Sequence, residues 1–445
     1  MTPYCPRPDR FDDRQRPGPV GGVPLSVPDP DRLPDRAPDP LTERDTDRAR
    51  DRDIERVATR GVGPRRGAGT GPRVAVTGAG GPVGRALLTA LRDAPGIGRV
   101  LALDRVPVAV EGVRSVLVDV CDPSVGSALA GCDVVVHLDP DPVLALAPGA
   151  RPGDVETAHA ALDGPLQLGD VGPGDPVPPG RAVLAAQTVL TAAAATSVRC
   201  AILVTSAMVY GAGAALGVPV EEDAPLLAHP DGRVLRDLLD VERVAGLAAA
   251  HRGLEVCVVR PAALAGPGVD SAVTRYFEAP RLVTVKGAPM RWQFCHLDDL
   301  VSALVVAVRR GRGGVATVGC EGWLSQAEAQ RLSGRAGVEL PESLAHGAAD
   351  RLHRLGLTPV PPGQLRYVTR SWVVPSTTLR DAGWRPAWDN AAALAAVLEQ
   401  NAGHTALAWR RIGRRETATI GAAGATVAVV TAAALVARAR RNRQR

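Results

Sequence analysis

From Arg73 onward short apolar runs alternate with glycine-rich or polar turns, and between them apolar residues return at the three-to-four spacing of an amphipathic helix. The first unit is the clearest. Val74-Ala75-Val76 reads as a buried strand, Thr77-Gly78-Ala79-Gly80-Gly81-Pro82-Val83-Gly84 as a glycine turn, and Leu87, Leu88 and Leu91 as the inner face of a helix. Apolar runs at 100–103, 116–118, 134–138, 201–204 and 256–259 read as further strands, with helical stretches between several of them. This alternation predicts an α/β fold, a Rossmann-type doubly wound parallel sheet.

Elsewhere the pattern lapses. Residues 1–72 mix Pro, Asp and Arg with too few apolar side chains to offset the entropy of ordering, and read as a disordered arm. Residues 139–180 form a loop rich in Pro, Gly and Asp, broken by a short helical stretch near 155–162; it leaves the carboxyl end of a strand, where ligands bind in this architecture. After Arg260-Pro261 the βα alternation fades, and all six tryptophans (Trp292, Trp323, Trp372, Trp384, Trp388, Trp409) lie beyond it. The domain reading is therefore a dinucleotide-binding unit over 73–262, a smaller substrate-binding subdomain over 263–400, and a helical, basic tail over 401–445. In that tail Thr417 to Ala437 is a 21-residue uncharged run between arginine clusters, long enough to span a bilayer but rich in Ala, Gly and Thr. An Ala-rich soluble helix is the competing reading.

Composition narrows the partners. The net charge of +5 comes from the tail, where Arg410 to Arg445 holds nine arginines against the single acid Glu416. The preceding chain is slightly acidic and the tail lacks interleaved aromatics, which argues against nucleic acid. The seven cysteines (Cys5, Cys121, Cys132, Cys200, Cys257, Cys295, Cys320) are scattered, with no CxxC pair or Cys/His cluster of zinc spacing, so reduced thiols and no metal are expected. No apolar leader opens the chain, and the expected location is cytoplasmic, with membrane association through 417–437 as an addition.

The glycine turn carries a mechanism. Gly78 permits the tight turn, Gly81 lets backbone approach a pyrophosphate, and Gly84 lets helix and strand pack closely, while the helix N-terminus offers free N–H groups. Asp104, twenty positions after Gly84 and at the end of the next strand, would accept from the adenosine ribose hydroxyls, which favours NAD over NADP; the adjacent Arg105 softens that preference. No GKS or GKT follows the glycines, which excludes a P-loop.

Those motifs, with Val118-Asp119-Val120, Val134-Val135-Val136-His137-Leu138, Thr205-Ser206-Ala207-Met208-Val209-Tyr210-Gly211, Arg260-Pro261-Ala262 and Gln293-Phe294-Cys295-His296-Leu297-Asp298-Asp299, resemble in order the extended short-chain dehydrogenase/reductases. This is the NAD-dependent epimerase/dehydratase family. The resemblance covers about Arg73 to Leu398 and looks closest to an actinobacterial branch described as UDP-glucose 4-epimerase-like. It implies that Gly78, Gly81 and Gly84 hold the pyrophosphate, Asp104 the ribose, and Asp119 and Val120 the adenine, that Leu138 and Pro261 border the nicotinamide, and that a nucleotide sugar binds after Pro261. It also implies a homodimer formed through two helices of the sheet layer.

The chemistry of that family uses an Asn, a Ser or Thr, and a Tyr-x-x-x-Lys pair. Ser206 matches the serine. The Asn position falls at Ala182, and the Tyr and Lys positions at Val234 and Leu238. No shift of alignment restores the pair, because the only lysine is Lys286 and Leu282 stands four residues before it. Tyr210, Asp139 and His296 are the candidate substitutes, each with a structural alternative: strand-end packing for Tyr210, the start of the long loop for Asp139, and a helix start at His296 with Asp298 as the capping aspartate. Two functions follow as expectations: a nucleotide-sugar epimerase or dehydratase with a degenerate site, or a noncatalytic NAD-binding sensor or scaffold at the membrane surface.

Overall fold

The computed structural model describes residues 71–138, 180–213, 217–230, 232–279, 281–341 and 362–401, and the backbone of 404–407 and 410–413. All of these fall in one compact unit, Gly67–Arg445. The expectations for the arm, for 139–179 and for 417–437 lie outside the described residues.

Seven parallel strands make the main sheet: β1 (Val74–Thr77), β2 (Val100–Asp104), β3 (Arg114–Leu117), β4 (Val134–Leu138), β5 (Cys200–Val204), β6 (Glu255–Pro261) and, later in the chain, β11 (Gly314–Val318). Their order is β11-β6-β5-β4-β1-β2-β3, the doubly wound arrangement, with the order reversing between β1 and β4. Successive side chains on each strand face opposite layers. Val74, Val76, Val134 and Val136 pack with α1 (Pro82–Asp93) and with a helix from the later half of the chain. Ala75 and Val135 pack on the other face against α2 (Val125–Leu129), α3 (Arg181–Ala195) and α4 (Gly232–Ala249). Burial on both faces is why these strands read as unbroken apolar runs. β3 departs from that reading. It runs over Arg114–Leu117 rather than 116–118, because it is the sheet edge, mostly exposed, and lacks an apolar run that would mark its start.

Beyond Pro261 come β7 (Ala263–Ala265), α5 (Ala272–Tyr276), β8 (Leu282–Val285), β9 (Arg291–Trp292), β10 (Phe294–His296) and α6 (Leu297–Arg310), which is the helix packed beside α1. After β11 follow β12 (Leu324–Ser325), α7 (Gln326–Ser333), β13 (Gly337–Leu340), α8 (Thr377–Asp381) and α9 (Asn390–Gln400). Two-stranded pairs β7–β10, β8–β13 and β9–β12 carry this part. The boundary expected at 262 cuts across the sheet, since β11 pairs with β6 and α6 covers the α1 face. A single strand after a short-strand region leaves no alternation for periodicity to detect.

Aromatic side chains pack together in this part: Phe277 meets Trp292 edge-on at 4.9 Å, and Tyr276 lies 5.1 Å from Trp292. This packing is continuous with the α1 face of the sheet rather than a separate core. At the start of the tail, expected to be helical, the backbone instead pairs β14 (His404–Leu407) with β15 (Arg410–Gly413) as an antiparallel hairpin. Among the described residues no helix is long and apolar enough to cross a membrane. Among the described cysteines, Cys132, Cys200, Cys257, Cys295 and Cys320 are buried free thiols, and Cys121 is half-buried.

Candidate functional site

The ends of β1 and β4 meet at the glycine turn. Gly78 has φ +65°, and a Cβ there would stand 2.0 Å from the Leu138 carbonyl oxygen, so only glycine fits. A Cβ on Gly84 would come within 2.6 Å of the Gly78 and Ala79 carbonyls, which is the close helix-to-strand approach the spacing implied. Gly81 differs. Its φ of −73° suits any residue, and the nearest atom to an added Cβ is 3.7 Å away. Among the described residues nothing requires glycine at 81, and none of them closes that side of the turn. Gly81 caps α1 without a side-chain hydrogen bond, so the first-turn amides face the same opening, with Pro82 supplying no N–H. A pyrophosphate fits this set: a positive helix end, free amides and the missing side chain.

The carboxylates at the ends of β2 and β3 continue the edge. Asp104 accepts from the Gly80 N–H at 2.9 Å through one oxygen and from the Val106 N–H at 3.2 Å through the other, which fixes its orientation beside the turn. Asp119, just past β3, accepts from the Cys121 N–H at 2.9 Å and pairs with Arg181. Burial works against its charge, but the Cys121 amide and the Arg181 guanidinium outweigh that and hold it below the usual carboxylate range. Val120 is half-buried against the α2–α3 layer. Leu138 and Pro261, both buried, end β4 and β6 on the other side of the switch point.

The β5 side is built differently. Ser206 is almost fully buried at the start of a 3-10 turn over Ala207–Tyr210, where its Oγ accepts from the Met208 N–H at 3.2 Å. The Tyr210 hydroxyl donates to the Glu222 carbonyl at 2.7 Å and accepts from Arg260 at 2.8 Å, and the guanidinium lies 4.9 Å over the ring. Burial raises this phenol despite the neighbouring cation. Arg260 in turn binds Glu242 through two hydrogen bonds at 2.9 and 2.8 Å, and Thr205 donates to Glu242 at 2.7 Å. The Glu222 side chain accepts from the backbone N–H groups of Thr317 and Thr378, at 2.8 and 2.9 Å, which ties the loop before α4 to β11 and α8. Tyr210 thus sits inside a closed network. Val234 and Leu238 pack beside it in the apolar core, and Ala182 lies in the α3 layer.

Asp139 lies outside the described residues. At His296 the structure corrects the capping assignment: the histidine itself is the N-cap of α6, its Nδ1 accepting from the Asp298 N–H at 3.3 Å. Its ring stacks on Trp388, with centroids 3.6 Å apart. Asp299 accepts from the Ala387 and Trp388 N–H groups at 2.7 and 3.1 Å, which holds that tryptophan in place. Among the described residues no group of three His, Cys, Asp or Glu side chains is placed to hold a metal.

Arg181 and Glu242 are residues of this edge that the sequence alone does not single out, and Arg260 enters there only as part of the Arg260-Pro261-Ala262 motif, without a partner. An arginine inside the apolar run Val256-Cys257-Val258-Val259-Arg260 signals a buried partner, and an arginine opening a helix runs against the helix dipole and needs a local reason.

Comparison with known proteins bears on this edge. Residues 180–319 match the NAD dependent epimerase/dehydratase family. The match takes in Ser206, Arg260-Pro261 and the His296 segment; the glycine turn lies ahead of it. Over 326 residues the chain is 28% identical to the uncharacterized protein Rv0501 of Mycobacterium tuberculosis, covering 71% of this chain and 80% of that protein. Among solved structures, MoeE5 in complex with UDP-glucuronic acid and NAD superposes with a TM-score of 0.51 at 22% identity, covering 74% of this chain and 99% of that one. DesIV of Streptomyces venezuelae, a dTDP-glucose 4,6-dehydratase, gives 0.51 at 19%, covering 74% and 97%. These two structures share their fold with the present chain.

Proposed function

We propose that the chain binds NAD along the carboxyl edge of β1 to β6 and takes a nucleotide sugar as its second ligand, with hydride exchange slow because the proton-transferring pair is missing. The observation that carries the reading is the open Gly81 between two glycines that the backbone itself demands. Gly78, Gly81 and Gly84 would receive the pyrophosphate, Asp104 the ribose, Asp119 and Val120 the adenine, and Leu138 and Pro261 the nicotinamide border. A carboxylate at 104 favours NAD over NADP, because it would repel a 2′-phosphate. The family match supports the reading, and MoeE5 carries NAD together with a UDP-sugar.

Bound NAD would supply a hydride acceptor. The chain's own part is the proton. Ser206 is the one family position filled by a group able to donate a hydrogen bond, while Val234 and Leu238 offer none. A positioned acid or base contributes about 10²–10⁴ in rate, and that factor is absent here. The same observation favours a second reading, a noncatalytic NAD-binding sensor or scaffold. Exposed Leu184 on α3 and Leu247 on α4 support a homodimer through those helices. Attachment to a membrane through 417–437 belongs to the second reading.

The test is calorimetry of the full chain with NAD and NADP, followed by UDP-sugars under both NADH absorbance and epimer analysis. NAD binding with slow turnover supports the first reading, and NAD binding without turnover on a broad panel supports the second. Absence of heat with both dinucleotides overturns both.

A further inference from the structure

Between β7 and α5 the chain turns at Gly266-Pro267-Gly268, with φ +123° at Gly266 and +77° at Gly268. This turn lies between the starts of two helices. A Cβ on Gly268 would stand 2.9 Å from the ring of Pro82, the first residue of α1, and a Cβ on Gly266 would stand 3.1 Å from both the His296 Nε2 and the Leu297 Cβ, where α6 begins. The backbone thus meets both helices with no room for a side chain at either contact. The His296 ring behind it cannot retreat. Its side chain is 4% exposed, its Nδ1 accepts from the Asp298 N–H at 3.3 Å, and its face lies on Trp388 at 3.6 Å, a residue whose own N–H is held by Asp299. Capping alone does not call for an imidazole, since Asn, Asp or Ser serves as well or better. The edge toward Gly266 and the face on Trp388 are what a smaller cap would lack.

Both helices start at the carboxyl edge of the sheet. α1 leaves β1 and α6 runs toward β11, parallel strands of one sheet, and the two helices pack along each other. The first turn of α1 has no side-chain cap of its own, because Gly81 supplies none, and an uncapped first turn frays. We propose that His296 is a positioning residue for the pyrophosphate: backed by Trp388, its ring wedges the 266–268 turn against Pro82 and holds the first amides of α1 where the phosphates meet them. The inference rests on the NAD reading. Amides fixed beforehand bind an anion without the ordering cost that a frayed turn would add. The adenosine half is braced independently of this wedge, since Asp104 and Asp119 take their hydrogen bonds from Gly80, Val106, Cys121 and Arg181.

The experiment compares two ligands on the full chain: NAD by calorimetry, and adenosine, which has no pyrophosphate, by ligand-observed NMR. The chains are the native one, His296→Asn, which keeps a capping acceptor and removes the ring, and Trp388→Leu, which keeps the histidine and removes the surface behind it. NAD affinity should fall ~10-fold in His296→Asn, the scale of ordering one backbone residue, and by a smaller factor in Trp388→Leu. Adenosine affinity should stay within about twofold of native in both. Weakening of NAD and adenosine by one factor would mean that His296 only supports the fold, and overturns the proposal. Unchanged NAD affinity in His296→Asn overturns it as well while leaving the NAD reading standing; a native chain that binds neither ligand removes both. Should circular dichroism show His296→Asn unfolded, Trp388→Leu is held to the same outcomes.

Discussion

At the β1–β3 end of the sheet edge the polar atoms are left unclosed: Gly81 has free space on its outer side, the first amides of α1 have no cap, and one oxygen of Asp119 has no partner among the described residues. At the β5–β6 end the polar groups are consumed internally, with Tyr210, Arg260, Glu242 and Thr205 bonded to one another and Val234 and Leu238 packed alongside. The chain has the same fold at both ends, so fold does not set the difference. One end keeps the features of a binding surface while the other has those of a structural joint. The proposal of binding with impaired chemistry follows from that contrast.

The sharpest way to break the contrast is to open the joint. The Glu242–Arg260 pair is buried on both sides, and removing one partner leaves an uncompensated charge in the interior. Glu242→Ala should therefore cost about 3–5 kcal/mol in chemical denaturation. Replacing both partners, as Glu242→Leu with Arg260→Met, should recover a large part of that loss, since the pair contributes little once its desolvation is counted. A Glu242→Ala chain as stable as the native one would show that this end is not a joint.

A second probe sits between the two ends. His137 on β4 is buried, its Nδ1 lies 2.7 Å from the Thr77 hydroxyl, and its Nε2 has no hydrogen-bond partner among the described residues. Burial pushes its pKa down to about 4 from 6.5. Between those values the unfolded chain binds a proton that the folded chain refuses. The histidine's contribution is thus fully present above pH 6.5 and is lost progressively as pH falls toward 4, by up to about 3 kcal/mol. Melting curves from pH 7 to 4.5 should show that slope, and His137→Asn should flatten it. A native chain with no slope over this window would mean that His137 titrates normally and that this part of the edge is open to water.

Strands β1, β2, β4, β5 and β6 were legible because both faces of the sheet are covered, so each strand is a continuous apolar run with a polar turn beyond it. The glycine turn was legible because its residues answer to local backbone geometry. β3 and β11 were harder, one as an exposed edge and the other arriving after a region of strands two to four residues long. The Tyr210 network was invisible for a different reason. Its members are spread from Thr205 to Arg260, and only the folded sheet decides that a tyrosine hydroxyl is spent on the Glu222 carbonyl instead of facing a substrate.

The last probe separates what a glycine does for the fold from what it does for a ligand. Gly84→Ala places a Cβ 2.6 Å from two carbonyl oxygens and should destabilise the chain measurably. Gly81→Ala places one in open space at an ordinary φ, where the entropy gained by restricting the unfolded chain roughly offsets the poorer N-cap, so stability should move by less than about 1 kcal/mol. The added methyl group would stand where the pyrophosphate must approach, and NAD affinity should fall at least ~10-fold, about 1.4 kcal/mol. Retained affinity in a stable Gly81→Ala chain would place the dinucleotide elsewhere, and the β1–β3 end would then be as closed to ligand as the β5–β6 end.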